Sequence, residues 1–464
     1  MWFDWRAVEL RESHMSSVVE VLKPASRDAA ADRTVAVIGG GASGALLTRA
    51  LIRRTEKNVI LIAPDREPGR GVAYGAAQPW HILNARAGAM SICPDDPMHL
   101  VRWCRERGDA VEGTDFLPRA LYGDYLAAQF TDTVAVSAGR LRHHVATATG
   151  LYAGDDGYVV RTDAGSVRAG QVVLAVGNPR AARLPGISDA AYASPHLVTD
   201  PWAGYPPPAA DEPVLLLGTG LTAVDVALSL TEAGHRGPIE ALSRRGLPPL
   251  AHPELPPSSA HPDLILNSDL TLGQLLRRVR AAIAGGADWV AVVDTLRHQA
   301  DRLWAGFSDG DRERFLRHVV RFWDVHRHRM APPVAARIAE LRDRGTLRFS
   351  AGRLRSVEPD PRGGLLVSVD GRPVRRYAAV ICCTGPGSLP GSADPFLSSL
   401  FRDGLVRPGP YGLGVDTDPD GLIRPGLWLA GPLRRGHLWE ATAVPEIRAQ
   451  VDRLVSALAR QYQR

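Results

Sequence analysis

The sequence predicts an α/β protein in which one βαβ plan is used twice, each copy with a three-strand β element, plus a helical insertion in the second copy. Three observations predict it. An apolar run, a glycine turn and a helix-like stretch occur in "TVAVIGGGASGALLTRAL", Thr34 to Leu51, and recur in "PVLLLGTGLTAVDVALSL", Pro213 to Leu230. Each turn is followed far downstream by three strand-like pieces ending in an apolar run and a glycine: "VVLAVG" at Val172 to Gly177 and "AVICCTG" at Ala379 to Gly385. Residues 263–345 instead carry apolar residues at helical spacing. Duplication of a single unit is the economical reading.

The elements follow in order. Val35 to Ile38 reads as a buried strand, the turn leads into a helix reaching about Arg54, and "NVILIA" (Asn58 to Ala63) is the second strand. Helices are expected at Met98 to Arg107 and Leu121 to Phe130, then strands in "HHVATATGLYAGD", "GYVVRTD" and "SVRAGQVVLAVG". The Pro-rich "YPPPAADEP" (Tyr205 to Pro213) reads as a stiff linker. The second copy continues through "PIEALSRR", "AGRLRSVEPD", "GLLVSVDG" and "RPVRRYAAVICCTG". Its insertion holds four helices: "TLGQLLRRVRAAI", "DWVAVVDTLRHQADRLWAGF", "DRERFLRHVVRFWDVHRHR" and "PPVAARIAELRDRG". "ATAVPEIRAQVDRLVSALAR" closes the chain as an amphipathic helix. The expected layout is a poorly ordered extension at 1–33, a first unit at 34–205 and 379–464, and a second at 206–378.

Composition narrows the class. The chain has 464 residues, 45% hydrophobic and 23% charged, as in a globular protein of two or three domains. Of 55 basic residues only Lys23 and Lys57 are lysine, the skew a GC-rich genome produces, so one arginine is weak evidence for an anion site. A net charge of +5 and the lack of a basic, aromatic-interleaved stripe speak against nucleic acid. No apolar run approaches the roughly 20 residues of a membrane span, and residues 1–33 lack a signal-peptide core. Cys93, Cys104, Cys382 and Cys383 form no CxxC pair, which suits reduced thiols in a cytoplasm and speaks against a disulfide reductase. "HRHR" at His326 to Arg329 has no companion metal ligands, and no metal is expected.

The chemistry lies in the turns. Gly39, Gly41 and Gly44 have GxGxxG spacing between strand and helix, so the backbone of Gly39 to Gly44 (with Gly40, Ala42 and Ser43) can approach a pyrophosphate at the helix N-terminus. An acid should close the next strand about 20 residues on, to hold ribose hydroxyls. That place is Ala63, and the nearest acids are Asp65 and Glu67. Either Asp65 reaches back, or the ribose is held without a carboxylate. The second turn has Gly218 and Gly220, with Leu221 and Thr222 opening its helix and Ala223 in the third glycine position. Its second strand ends in Ser243, Arg244 and Arg245, where arginines suit the 2′-phosphate of NADPH, unless they reflect composition alone. The chain is thus read as two Rossmann-like dinucleotide-binding domains.

This double unit resembles the two-dinucleotide flavoprotein superfamily, whose first site takes FAD and whose second takes NAD(P)H. More narrowly, "PGRGVAYG" (68–75), "HILNARAGAMSICPDDP" (81–97), "FLPRALYGDYL" (116–126), "GTGLTAVDVALSL", "RFWDVHRHRMAP" (321–332) and "WEATAVPEIR" (439–448) are similar to a bacterial FAD/NAD(P)-binding family. That family includes FAD-dependent urate hydroxylase and nitrosuccinate-forming aspartate N-monooxygenases. The resemblance implies FAD and NADPH as cofactors and places Arg70, Gly71 and Tyr74 near FAD. Asn84, Met90 and Arg119 are candidates for cofactor or substrate contact, with packing as the alternative. Gly177 and Gly385 close the two late runs. Gly431 permits close approach where relatives carry Gly-Asp, although Pro432 replaces the acid. Glu440 and Thr442 either face the flavin ring or simply start the last helix. "FLRHVVRFWDVHRHR" is either a solvated face or a cap on the site, with Asp324 available to pin an arginine.

The expected function is an NADPH-dependent FAD monooxygenase: hydride passes from NADPH to FAD, then a C4a-hydroperoxyflavin formed with O2 transfers oxygen to an amine, an amino acid (N-hydroxylation) or a heterocycle. No residue is singled out as catalytic, and the oligomeric state is left open. The alternatives are a flavin reductase or dehydrogenase without oxygenation, and a non-catalytic dinucleotide-binding protein, which Ala63 and Pro432 would suit.

Overall fold

The computed structural model describes residues 33–255, 270–385, 389 and 394–460. The expected N-terminal extension, apart from residue 33, and the first residues of the insertion lie outside them. Two mostly parallel sheets organise the rest. The first runs β16-β17-β7-β1-β2-β3, with β1 (Thr34–Ile38), β2 (Asn58–Ala63), β3 (Leu141–Val145), β7 (Gln171–Leu174), β16 (Leu422–Arg424) and β17 (Leu427–Leu429). The second runs β11-β10-β9-β15-β8, with β8 (Leu197–Val198), β9 (Val214–Leu217), β10 (Ile239–Ser243), β11 (Leu347–Ala351) and β15 (Ala379–Cys382). Each carries a three-stranded antiparallel sheet: β4 (Ala148–Gly154), β5 (Gly157–Thr162) and β6 (Gly165–Ala169), then β12 (Leu354–Pro359), β13 (Leu365–Val369) and β14 (Arg375–Tyr377).

The central strands are apolar throughout because both faces are covered. In β1, Val35 and Val37 point to a core shared with the helix Ala42–Arg54 and the closing helix Val444–Arg460, while Ala36 and Ile38 pack toward β4–β6. In β9, Val214 and Leu216 face the helix Leu221–Glu232, and Leu215 and Leu217 face β12–β14.

The duplication extends to individual hydrogen bonds. Gly39 N–H donates to Ile62 O at 2.9 Å and Gly218 N–H to Leu242 O at 2.8 Å. Ala175 N–H donates to Ile38 O and Cys383 N–H to Leu217 O, both at 2.8 Å. The expected return to the first unit at residue 379 is corrected by this symmetry. β15 pairs in parallel with β9, as β7 pairs with β1, so 379–382 belong to the second sheet. Leu197 and Val198, expected in the first unit, pair with β15 as well. The chain re-enters the first sheet at β17, beside β7.

The four expected insertion helices are present as Leu272–Ala284, Trp289–Gly306, a third run from Asp309 to Arg327, and Pro332–Asp343. A π-helical turn at Phe315–Val319 interrupts the third. The first three share an aromatic core, with Trp304, Phe315 and Trp439 packed edge-on or tilted against one another.

Candidate functional site

Both glycine turns are shaped for close approach of a ligand. Gly39 and Gly218 have φ of +110° and +129°, and a Cβ at either would overlap the carbonyl oxygen of Ala175 or Cys383. A side chain at Gly44 would strike the Gly39 carbonyl, so the third glycine lets the helix pack on its strand. The helices begin at Gly41 and Gly220, without a side-chain cap or an acidic residue in the first turn. Their first N–H groups are thus left for an anion, whereas the helix at Leu272 has a Thr271 capping box and the one at Trp289 an Asp288 cap. Ala42, Ser43, Leu221 and Thr222 lie in these first helical turns. Gly177 and Gly385, beyond the ends of β7 and β15, have open space where a Cβ would point.

Around the first turn, the chain after β2 folds back. Gly69 N–H donates to Gly40 O at 2.7 Å, and Gly71 sits against Gly41. Ala63 ends β2 fully buried, directly beneath Gly40. Asp65 is exposed and makes no ion pair or hydrogen bond among the described residues. Arg70 pairs with Asp124 at 2.7 Å and Glu67 at 3.2 Å. Tyr74 packs edge-on against Tyr122, and burial pushes its hydroxyl up to about 12. Gly431 (φ +98°) lies over the start of the first helix, with room for no side chain beside the Ser43 hydroxyl.

Around the second turn, the Ser243 hydroxyl accepts from Gly246 N–H at 2.9 Å and bonds Thr219 at 3.0 Å, while Thr219 donates to Leu247 O at 2.7 Å. Ser243 therefore pins the arginine loop to the glycine turn. Arg244 and Arg245 are exposed and form no ion pair among the described residues. Arg245 stacks 5.2 Å above the ring of Phe322 from the insertion.

Several residues expected at a cofactor have partners within the chain. Arg119 grips Asp225 with two N–H groups, at 2.5 and 3.1 Å, and gives Nε–H to Ile82 O at 3.2 Å. It clamps the first unit to the second-turn helix. His81 Nδ1 accepts from Gln78 N–H, so Nε2–H donates to Ser229 Oγ at 2.9 Å; burial lowers its pKa and keeps the ring neutral. Met90 is buried in the first core with its carbonyl taken by Tyr122. The Asn84 backbone carbonyl bonds His252 Nε2 at 3.0 Å. Glu440 does not present a free carboxylate: it accepts from Trp323 at 3.1 Å and from Arg327, paired at 3.0 Å. Thr442 is exposed, two residues before the last helix begins at Val444.

The expected cationic face divides in two. Arg317, His318 and Arg321 are exposed, with Arg321 held by Asp324 at 3.2 Å. Arg327 and Arg329 are buried against Glu440 and Asp294. His328 is held neutral, its pKa lowered to about 3 by burial and by Arg327, Arg435 and Arg297. Asp225 and Trp323 were not foreseen. One signal was available for Asp225, because a carboxylate inside the apolar "LTAVDVALSL" needs a cation. All four thiols are free and buried, and burial raises each; Cys382 reaches about 11, so none is poised for exchange.

The fold and its paired turns define a two-domain Rossmann-type α/β protein. Residues 36–179 match the model of a family described as FAD-NAD(P)-binding. An uncharacterised protein of Mycobacterium tuberculosis is 25% identical over 411 residues, covering 77% of this chain and 76% of its own length. The ornithine N-hydroxylase of Kutzneria sp. 744 shares the fold at TM-score 0.62 and 14% identity, over 92% of this chain and 99% of that one. L-lysine 6-monooxygenase of Pseudomonas syringae does so at 0.58 and 18%, over 92% and 99%. The bacillithiol disulfide reductase of Bacillus cereus does so at 0.55 and 14%, with the same coverage. Among the described residues, no helix is long and apolar enough to cross a membrane.

Proposed function

We propose that the chain is an NADPH-dependent FAD monooxygenase acting with O2 on a small molecule. The observation that carries this is the pair of uncapped helix N-termini behind matched glycine turns, the second followed by two arginines without ion pairs among the described residues. The residues fit the two nucleotides. The first turn and Gly431 leave backbone room for the FAD pyrophosphate, and Arg244 and Arg245 present ten N–H donors toward a 2′-phosphate. When bound, FAD supplies the hydride-accepting and oxygen-activating chemistry. The protein's own part is to bind and orient both nucleotides and, through the docked insertion, to exclude water. In this reading the NADPH unit runs from β8 to β15, and FAD is held by the rest of the described chain. The free thiols suit a reducing cytoplasm.

Oxygenation is supported by the fold likeness to ornithine and lysine hydroxylases and by the stretches similar to the urate hydroxylase and aspartate N-monooxygenase family. The buried thiols weigh against thiol exchange, despite the likeness to a disulfide reductase. A second reading, a dinucleotide-binding protein without catalysis, is favoured by Ala63 and Pro432, which stand where acids would hold FAD. The test is direct. Purified protein should be yellow, NADPH should bleach it anaerobically, and 18O2 should label a product among amines, amino acids and heterocycles. Peroxide release without label in any product would favour a reductase, and failure to take up FAD would favour the second reading.

A further inference from the structure

The insertion forms a half-open cavity of about 220 Å³ lined by eighteen side chains, of which His326 alone is titratable. Its walls are leucine, valine and aromatic residues, and its mouth lies between Ile283 and Phe322, both more than 40% exposed. The polar atoms of two wall tryptophans are already committed outward: Trp304 Nε1–H to Gly436 O and Trp323 Nε1–H to Glu440, at 3.0 and 3.1 Å. His326 spends its Nδ1–H on Phe322 O at 2.7 Å, so an ammonium or carboxylate pressed into these walls would give up water to side chains that include no acid, Lys or Arg, a cost that packing does not offset. An apolar cavity of roughly 150 Å³ is enough to hold benzene. One wall includes Phe315 and Val319 of the π-helical turn, a distortion that recurs at functional sites.

One chain segment, from Gly431 to Trp439, runs from the first glycine turn to the cavity wall. Its wall residue Trp439 sits in the segment leaving the carboxyl end of β17, where ligands of parallel sheets bind. That segment starts at Gly431, against Ser43 of the first helix, and Glu440 ties it to Trp323 and Arg327 of the insertion.

We propose that this cavity binds an uncharged aromatic molecule of one or two fused rings, and that this is the substrate class of the enzyme. The binding claim stands on the cavity; the word substrate rests on the oxidoreductase reading above. The experiment titrates FAD-loaded protein with indole, and separately with L-ornithine, by calorimetry. Indole should bind and ornithine should not. Val279→Trp, at a half-buried wall position, should weaken indole binding at least tenfold while anaerobic reduction by NADPH is unchanged. Ile283→Glu, at the exposed mouth, should weaken it several-fold and guards against misfolding of the first variant. No indole binding, equal binding by folded variants, or preference for ornithine would overturn the proposal. So would a dimer that Val279→Trp converts to monomer, because a second copy would then be the occupant. If the protein takes no FAD or NADPH does not reduce it, the oxidoreductase reading fails and the substrate claim with it, whatever indole does.

Discussion

At the scale of single residues, the two turns are chemically distinct although their backbones match. In the proposed reading Arg244 and Arg245 tell NADPH from NADH, since both are exposed and without ion pairs among the described residues. Charge-assisted hydrogen bonds contribute about 1.5–3 kcal/mol each. Arg244→Ala with Arg245→Ala should therefore raise KM for NADPH by a factor of ten to a hundred or more and leave KM for NADH within about twofold. Steady-state kinetics with both nucleotides decide it, and parallel changes would remove the 2′-phosphate assignment. Gly218→Ala separates the sites from the other side. Its Cβ would meet the Cys383 carbonyl at a φ of +129°, so the second turn should distort while the first stays intact. The variant should remain yellow yet reduce at least a hundredfold more slowly with NADPH. Glu240 controls the acid limit of the second sheet. Burial acts to raise its pKa, but hydrogen bonds from Tyr377, Ser350 and Arg348 prevail and hold it near 2, against 4.5 when free. Because the folded value is the lower one, its contribution is complete above about pH 4.5 and is lost as pH falls toward 2. Denaturant unfolding between pH 2 and 6 should show a steeper acid loss in wild type than in Glu240→Gln, which is less stable at pH 6.

At the scale of elements, periodicity made both sheets and the insertion legible. The four insertion helices and the parallel strands follow from apolar spacing and need no tertiary information. The short pieces were not legible: β8 has two residues, and pairing with β15 defines it. The error at residue 379 had the same origin, since "AVICCTG" fits either sheet until its partner is known. The shape of the two turns was readable because positive φ and close packing require glycine there. Arg119 and Glu440 were not, because a charged side chain's role depends on which distant group it meets, here Asp225 and Arg327. Glu440 in turn fastens the insertion to the segment beside the first turn. Glu440→Gln leaves Arg327 buried with a weakened partner, and breaking a buried pair costs about 3–5 kcal/mol. Limited proteolysis should then cut within 289–327 while the sheets resist, and FAD content should hold. Unchanged proteolysis would mean that the insertion is held by its aromatic core alone.

At the scale of the whole molecule, electron transfer between two nucleotides requires two binding units held at a fixed separation. The structure supplies a polar clamp for this. The helix that opens at the second glycine turn is gripped by residues of the first unit: Arg119 on Asp225, and Trp80 and His81 on Ser229. The pair is well shielded, with Arg119 17% and Asp225 5% exposed in their side chains. Removing one partner strands the other, so Arg119→Met should cost about 3–5 kcal/mol, whereas Arg119→Met with Asp225→Leu should recover much of that loss. A purely structural pair would show only this stability cycle. A clamp that sets the distance between nucleotides should also slow anaerobic flavin reduction by NADPH in the stability-restored double variant, at least tenfold, with FAD content and NADP+ affinity unchanged. Reduction at the wild-type rate in that variant would show that the units keep their spacing without the ion pair. The docked insertion, through Arg327 and Glu440, would then be what holds them.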